Sequence, residues 1–127
     1  MEAGMNANKK QYSPLVLAYL GDAFFETLAR EYLIGDGNCK PSELNDRSKA
    51  LVTAASQSGM VDKLLTELTE DELTAYKQGR NAKSAHRSRS ASAIEYRRAT
   101  GLECLFGYLW INEQQDRARA LFARCVK

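Results

Sequence analysis

Leu17–Glu26 reads LAYLGDAFFE, and Ala99–Trp110 reads ATGLECLFGYLW. Neither stretch contains proline or alternates polar and apolar residues with period two, so each reads as part of a helix. Around the first, Leu15, Val16, Ala18, Tyr19, Leu20, Ala23, Phe24, Phe25, Leu28 and Tyr32 spread apolar surface over almost every face. A helix of that kind is expected at the centre of a bundle. Around the second, Ile94, Tyr96, Leu102, Leu105, Phe106, Leu109 and Trp110 do the same.

The acids in these stretches are out of place. Asp22 sits mid-helix beside Gly21, where aspartate has poor propensity and, once buried, a large desolvation cost. Glu26, one turn on, shares its face. Glu103 lies in a segment otherwise free of charge, with Thr100 three residues before it and Gly107 four after. Gly101 and Gly107 each cost a helix about 1 kcal/mol relative to alanine. In return, a glycine lets a second helix approach closely, and Gly21 offers the same on the first helix. If the two helices cross at their glycines, Asp22 and Glu103 meet. Two buried carboxylates repel unless a positive charge lies between them, either an arginine such as Arg47 or Arg98 or a metal ion. Oxygen donors without clustered histidine or cysteine favour a hard ion, Mg²⁺ or Mn²⁺.

The composition removes other classes. The chain has 127 residues, 44% hydrophobic and 27% charged, which suits one soluble domain. Its longest apolar run, Leu15–Leu20, is far short of the roughly 20 residues of a membrane span. MEAGMNANKKQ at the N-terminus has no apolar core for a signal peptide. Three widely spaced cysteines, Cys39, Cys104 and Cys125, and one histidine, His86, make neither a disulfide framework nor a zinc site. A reduced, cytoplasmic protein is expected. Charge is unevenly spread. Tyr76–Arg98 holds seven basic residues against one acid, Glu95, while the rest of the chain holds 11 basic and 15 acidic residues. Such a split points to a face for a polyanion, set against the plainer reading of a solvated loop. A divalent ion beside that face implies phosphodiester hydrolysis.

Local signals predict an all-α fold of roughly six helices. Residues 1–11 form a polar tail, and 12–127 form the domain. The first helix starts at Ser13-Pro14 and stops near Gly35. A second runs from Pro41 to about Ser58, with a break at Gly59, and Val61–Leu65 forms a short third. Thr69 and Glu72 have capping-box spacing for a fourth, ending at Gly79. Residues 80–90 read as a loop. Ala91–Ile111 and Asp116–Val126 complete the set.

LAYLGDAFFE resembles the signature helix of the ribonuclease III family, whose Leu-Gly-Asp core carries a catalytic aspartate. ATGLECLFGYLW resembles that family's second acidic motif, and ELNDRSKALV, Glu43–Val52, is similar to the helix between them. The resemblance spans about residues 12–125. With GRNAKS at Gly79–Ser84 and no separate double-stranded-RNA-binding domain, it points to the stand-alone, Mini-ribonuclease III branch. It implies an endoribonuclease acting on double-stranded RNA as a homodimer and leaving 5′-phosphate and 3′-hydroxyl ends. It also implies a role in trimming 23S ribosomal RNA precursor, helped by a large-subunit ribosomal protein. Asp22 and Glu103 match the catalytic, Mg²⁺-binding acids, with Mn²⁺ as a substitute. Tyr19 matches an aromatic that packs across the dimer interface, against the alternative of plain core packing. Arg80, Lys83, Arg87 and Arg89 are suited to RNA phosphates, and His86 adds charge at lower pH. Three positions depart from full-length relatives: Leu15, Ala18 and Thr100 stand where those have acids. The rival readings are a catalytically inactive RNA-binding copy of the fold and a helical DNA-binding module, the latter requiring a helix over 80–90.

Overall fold

The computed structural model describes residues 12–35, 37, 39–83 and 92–126. Among them are six helices and no strand: α1 (Pro14–Ile34), α2 (Pro41–Val52), α3 (Ala54–Leu64), α4 (Glu70–Asn81), α5 (Ala93–Ile111) and α6 (Gln115–Cys125). The all-α class and the number of helices agree with the sequence reading. The expected tail, residues 1–11, lies outside the described residues. No helix among those described is long and apolar enough to cross a membrane.

Each helix start has a local cause. The Ser13 hydroxyl accepts from the Val16 N–H at 3.2 Å, and Pro14 fills the first turn, where no N–H is needed. Thr69 and Glu72 form the expected capping box. Ser92 and Glu95 form a second one and set the start of α5 at Ala93, two residues later than expected.

Two expected boundaries move. The chain breaks at Thr53, not at Gly59. Thr53 is extended (φ −71°, ψ 156°), and its hydroxyl accepts from the Ser56 N–H at 3.2 Å, so it ends α2 and caps α3. Gly59 lies inside α3, with open space where a Cβ would stand. The fourth helix runs through Gly79 to Asn81, which makes Arg80 helical. Gly79 serves packing: a Cβ there would fall 2.4 Å from Cys104 Cβ and 3.0 Å from Gly101 Cα.

The central helix is α5, not α1. It packs against α1, α4 and α3, and it buries nearly every residue from Ala99 to Leu109. The α1 helix buries one face, through Ala18, Gly21, Phe24, Phe25, Leu28, Ala29 and Leu33, and leaves Leu15, Val16, Tyr19, Tyr32 and Ile34 exposed. Phe25 meets Phe106 and Phe122 edge-on, both at 5.3 Å, which joins α1, α5 and α6 in one core. Buried Glu72 accepts two 2.8 Å bonds from Arg117, which also donates to the Glu67 carbonyl. That fork ties α4 to α6, and its hydrogen bonds from Arg117 hold the Glu72 carboxyl below its ordinary range.

Candidate active site

The crossing of α1 and α5 sets the geometry of the acids. A Cβ on Gly21 would stand 1.7 Å from the Glu103 carbonyl oxygen, and one on Gly107 would stand 1.9 Å from the Leu17 carbonyl oxygen. The two backbones touch, and only glycine allows it. Asp22 follows Gly21 on α1, so its carboxylate comes up against Glu103.

Glu103 is half-buried, and Asp22 is exposed. Burial is the main cause that pushes the Glu103 carboxyl up, to about 8. The negative charge of Asp22 and a hydrogen bond with it add to the rise. Burial, Asp22 and Gln57 are the influences that act on the Glu103 carboxyl. Arg98, one of the arginines considered as a partner, pairs with Asp62 at 2.5 Å instead. Glu26 does not join the pair; it bridges to Arg30 at 2.9 Å on its own helix. The expected burial of Asp22 and Glu26 together is therefore corrected. Their side of α1 faces outward because α5 covers only the face one step round.

Two further side chains complete the surroundings. Thr100 is buried on the Glu103 helix, and its hydroxyl donates to the Tyr96 carbonyl at 2.9 Å. Gln57 on α3 is 1% exposed and is the one group that favours the charged form of Glu103. Its role was missed in the sequence, because no spacing rule links α3 to α5. Among the described residues no group of three or more His, Cys, Asp or Glu could hold a metal ion. The protein donors at this point are the two carboxylates.

The basic region is partly in view. Arg80 lies over the Tyr76 ring, 5.7 Å from its centroid, and Lys83 is exposed. Arg80, Arg97 and Arg98 border a surface cleft of about 450 Å³ floored by Tyr76, Leu65 and Ile94. Arg97 and Arg98 belong to the basic run but were not among the expected phosphate contacts. They precede Glu103 by five and six residues on α5, roughly 8 Å along the axis. Arg87, Arg89 and His86 lie outside the described residues. A larger cleft, about 590 Å³ between α1 and α2, is lined by Arg30, Leu33, Ile34, Leu44 and Ser48, with neither acid in its lining.

Tyr19 is 84% exposed, which rules out core packing within this chain. Leu15, Val16 and Tyr19 follow helical spacing on α1 and make one exposed apolar stripe, preceded by exposed Tyr12 and ending one turn before Asp22 and Ala23.

The profile of the Ribonuclease III domain matches residues 15–114. A Mini-ribonuclease 3 of Enterococcus faecalis is 41% identical over 120 residues, covering 93% of this chain and 91% of the relative. One from Staphylococcus aureus is 32% identical over 119 residues, covering 92% and 89%. A crystal structure of a Fusobacterium nucleatum protein superposes with a TM-score of 0.78 at 32% identity, covering 91% of this chain and 93% of that one.

Proposed function

Because the chain belongs to the ribonuclease III family and is an endoribonuclease, we propose that Asp22 and Glu103 are its catalytic acids and that they hold Mg²⁺, or Mn²⁺ in its place, to cut double-stranded RNA. The observation that carries this reading is the backbone contact at Gly21 and Gly107, which brings two carboxyls together. The donor chemistry fits the ion. Both ligands are hard carboxylate oxygens, one on an open surface, and Mg²⁺ favours one or two carboxylates with water or phosphate oxygens in its remaining positions. When bound, the ion supplies Lewis acidity and a nucleophilic water at neutral pH.

The chain's own residues do the rest. Glu103 would have to give up its raised proton to serve with Asp22 as a ligand. The helix crossing fixes the spacing of the two acids before substrate arrives, so no ordering cost falls on the chemical step. Arg80 and Lys83, with Arg87 and Arg89, engage phosphates on either side of the cut. The A-form duplex is met by its shape, its 2′-hydroxyls and its backbone rather than by base sequence. The exposed stripe ending at Tyr19 supports a homodimer whose two sites cut the two strands. The activity belongs in the cytoplasm, in maturing 23S ribosomal RNA precursor, with a large-subunit ribosomal protein presenting the substrate.

The test is incubation with duplex RNA, duplex DNA and single-stranded RNA, each with Mg²⁺ or chelator. Cleavage is expected for duplex RNA with Mg²⁺ alone. Asp22→Asn and Glu103→Gln are each expected to lose cleavage and keep duplex binding, since each removes ligand charge without changing shape. Normal turnover in either variant removes the proposed site.

A further inference from the structure

Gln57 is among the largest fully buried side chains, at 1% exposure. Glutamine is rarely buried so completely, and when it is, its amide is bonded. Here Nε2 is the one buried side-chain nitrogen or oxygen without a hydrogen-bond partner among the described residues. A leucine would fill the same volume in α3 without stranding two N–H groups. The amide therefore needs an acceptor, and the acceptor must come from a neighbour rather than from water.

The neighbours point to Glu103. The α3 helix packs against α5, and Gln57 and Glu103 stand on these two helices within electrostatic reach of each other. Glu103 has its other side turned to Asp22. An amide behind a carboxylate is attractive in only one of its two orientations, with Nε2 toward the oxygens. The amide lies close enough to act on the Glu103 carboxylate, yet its Nε2 completes no hydrogen bond. We propose that Gln57 is a positioning residue: with a divalent ion between the acids, its Nε2 donates to the outer oxygen of Glu103 and holds that carboxylate facing Asp22. This rests on the acid pair being the ion site, as proposed above. Groups behind a ligand carboxylate fix its orientation and change metal affinity by about 10–100-fold.

The experiment uses the full chain with Gln57→Leu and the unbranched Gln57→Met. Mn²⁺ binding is followed through the electron paramagnetic resonance signal of the free ion, beside thermal melting in chelator and duplex-RNA cleavage at graded Mn²⁺. We expect the Mn²⁺ concentration for half-saturation to rise ~10-fold in both variants, with melting unchanged or higher because a stranded buried donor is gone. Cleavage should fall most at limiting ion. Parent-like Mn²⁺ binding in a variant that melts like the parent overturns the proposal. So does a loss of ion binding that merely tracks a fall in melting temperature across both variants, which makes Gln57 a packing residue. Glu103→Gln separates the two levels. If it binds Mn²⁺ like the parent, the acid-pair reading itself fails. If it loses the ion while the Gln57 variants keep it, only the positioning role fails.

Discussion

A carboxyl pushed up to about 8 holds its proton through a pH range in which an unfolded chain has lost it. For Glu103 that range runs from its ordinary value of 4.5 to about 8. The folded state binds more protons there, so stability falls as pH rises through the window and levels off above it. Glu103→Gln carries no such proton. Its melting temperature in chelator should run level with the parent near pH 5, pull ahead as pH rises, and hold a constant lead above pH 8. Comparing the two curves cancels every other titrating group, and parallel curves would show that Glu103 is not perturbed. The meeting of Asp22 and Glu103 was legible in the sequence, because a lone acid beside a glycine in an apolar helix is costly without a partner. The exposure of Asp22 was not. An apolar helix face reserved for another molecule reads the same as one reserved for the core.

Between elements, the glycines divide by what surrounds them. Gly21 and Gly107 face backbone atoms within 2 Å of a would-be Cβ, and backbone cannot swing aside. Alanine at either position must push α1 and α5 apart. We expect each to cost about 3 kcal/mol, the upper end for overpacking, and to abolish cleavage even where the chain still folds. Gly59 faces open space inside α3. Gly59→Ala should add about 0.4–1 kcal/mol of stability and leave cleavage unchanged. Denaturant titration of the three variants checks the contrast, and an equal response at Gly21 and Gly59 would undo the crossing argument. The same distinction explains the misplaced boundaries. A glycine in a sequence can be a stop or a contact, and composition does not say which; Gly59 and Gly79 looked like stops, and the helices run through both. The break at Thr53 was readable only as a cap whose hydroxyl reaches forward to Ser56. Ser92 and Glu95 did carry a legible signal in their spacing.

The whole molecule sets basic side chains and acids on one chain with little net charge, so its hold on RNA should come from local phosphate contacts. Neutralising Arg80, Lys83, Arg87 and Arg89 together should weaken duplex binding and reduce the slope of log affinity against log salt by roughly three to four units. Turnover at saturating RNA should change far less if, as proposed, these side chains position the duplex and the acids hold the ion. An unchanged salt slope in binding titrations would remove the four residues from the interface. A loss of turnover at unchanged affinity would place one of them at the scissile phosphate instead.

Assembly is argued from the stripe on α1. Leu15, Val16 and Tyr19 put three large apolar side chains on one exposed helix face, exposed Tyr12 precedes the helix, and Tyr19 is almost fully out in solvent at 84%. A contiguous apolar face of this kind marks an interaction surface rather than ordinary surface composition. A single helix face meeting its own copy across a two-fold axis closes the assembly as a dimer. The stripe ends one turn before Asp22, so the proposed dimer contact would bring two acid pairs to bear on one duplex, one for each strand. Sedimentation at micromolar concentration should give about twice the 14.2 kDa chain mass. Tyr19→Asp places a charge in the middle of the contact and should yield a monomer. Its melting temperature in chelator should stay near the parent's if dimerisation contributes little to folding, and fall with dilution of the parent if it contributes much. Duplex cleavage read on native and denaturing gels then decides the functional link. The parent should release double-strand breaks, and the monomeric variant should leave single nicks. A monomer that still severs both strands in one encounter would separate the stripe from the reaction.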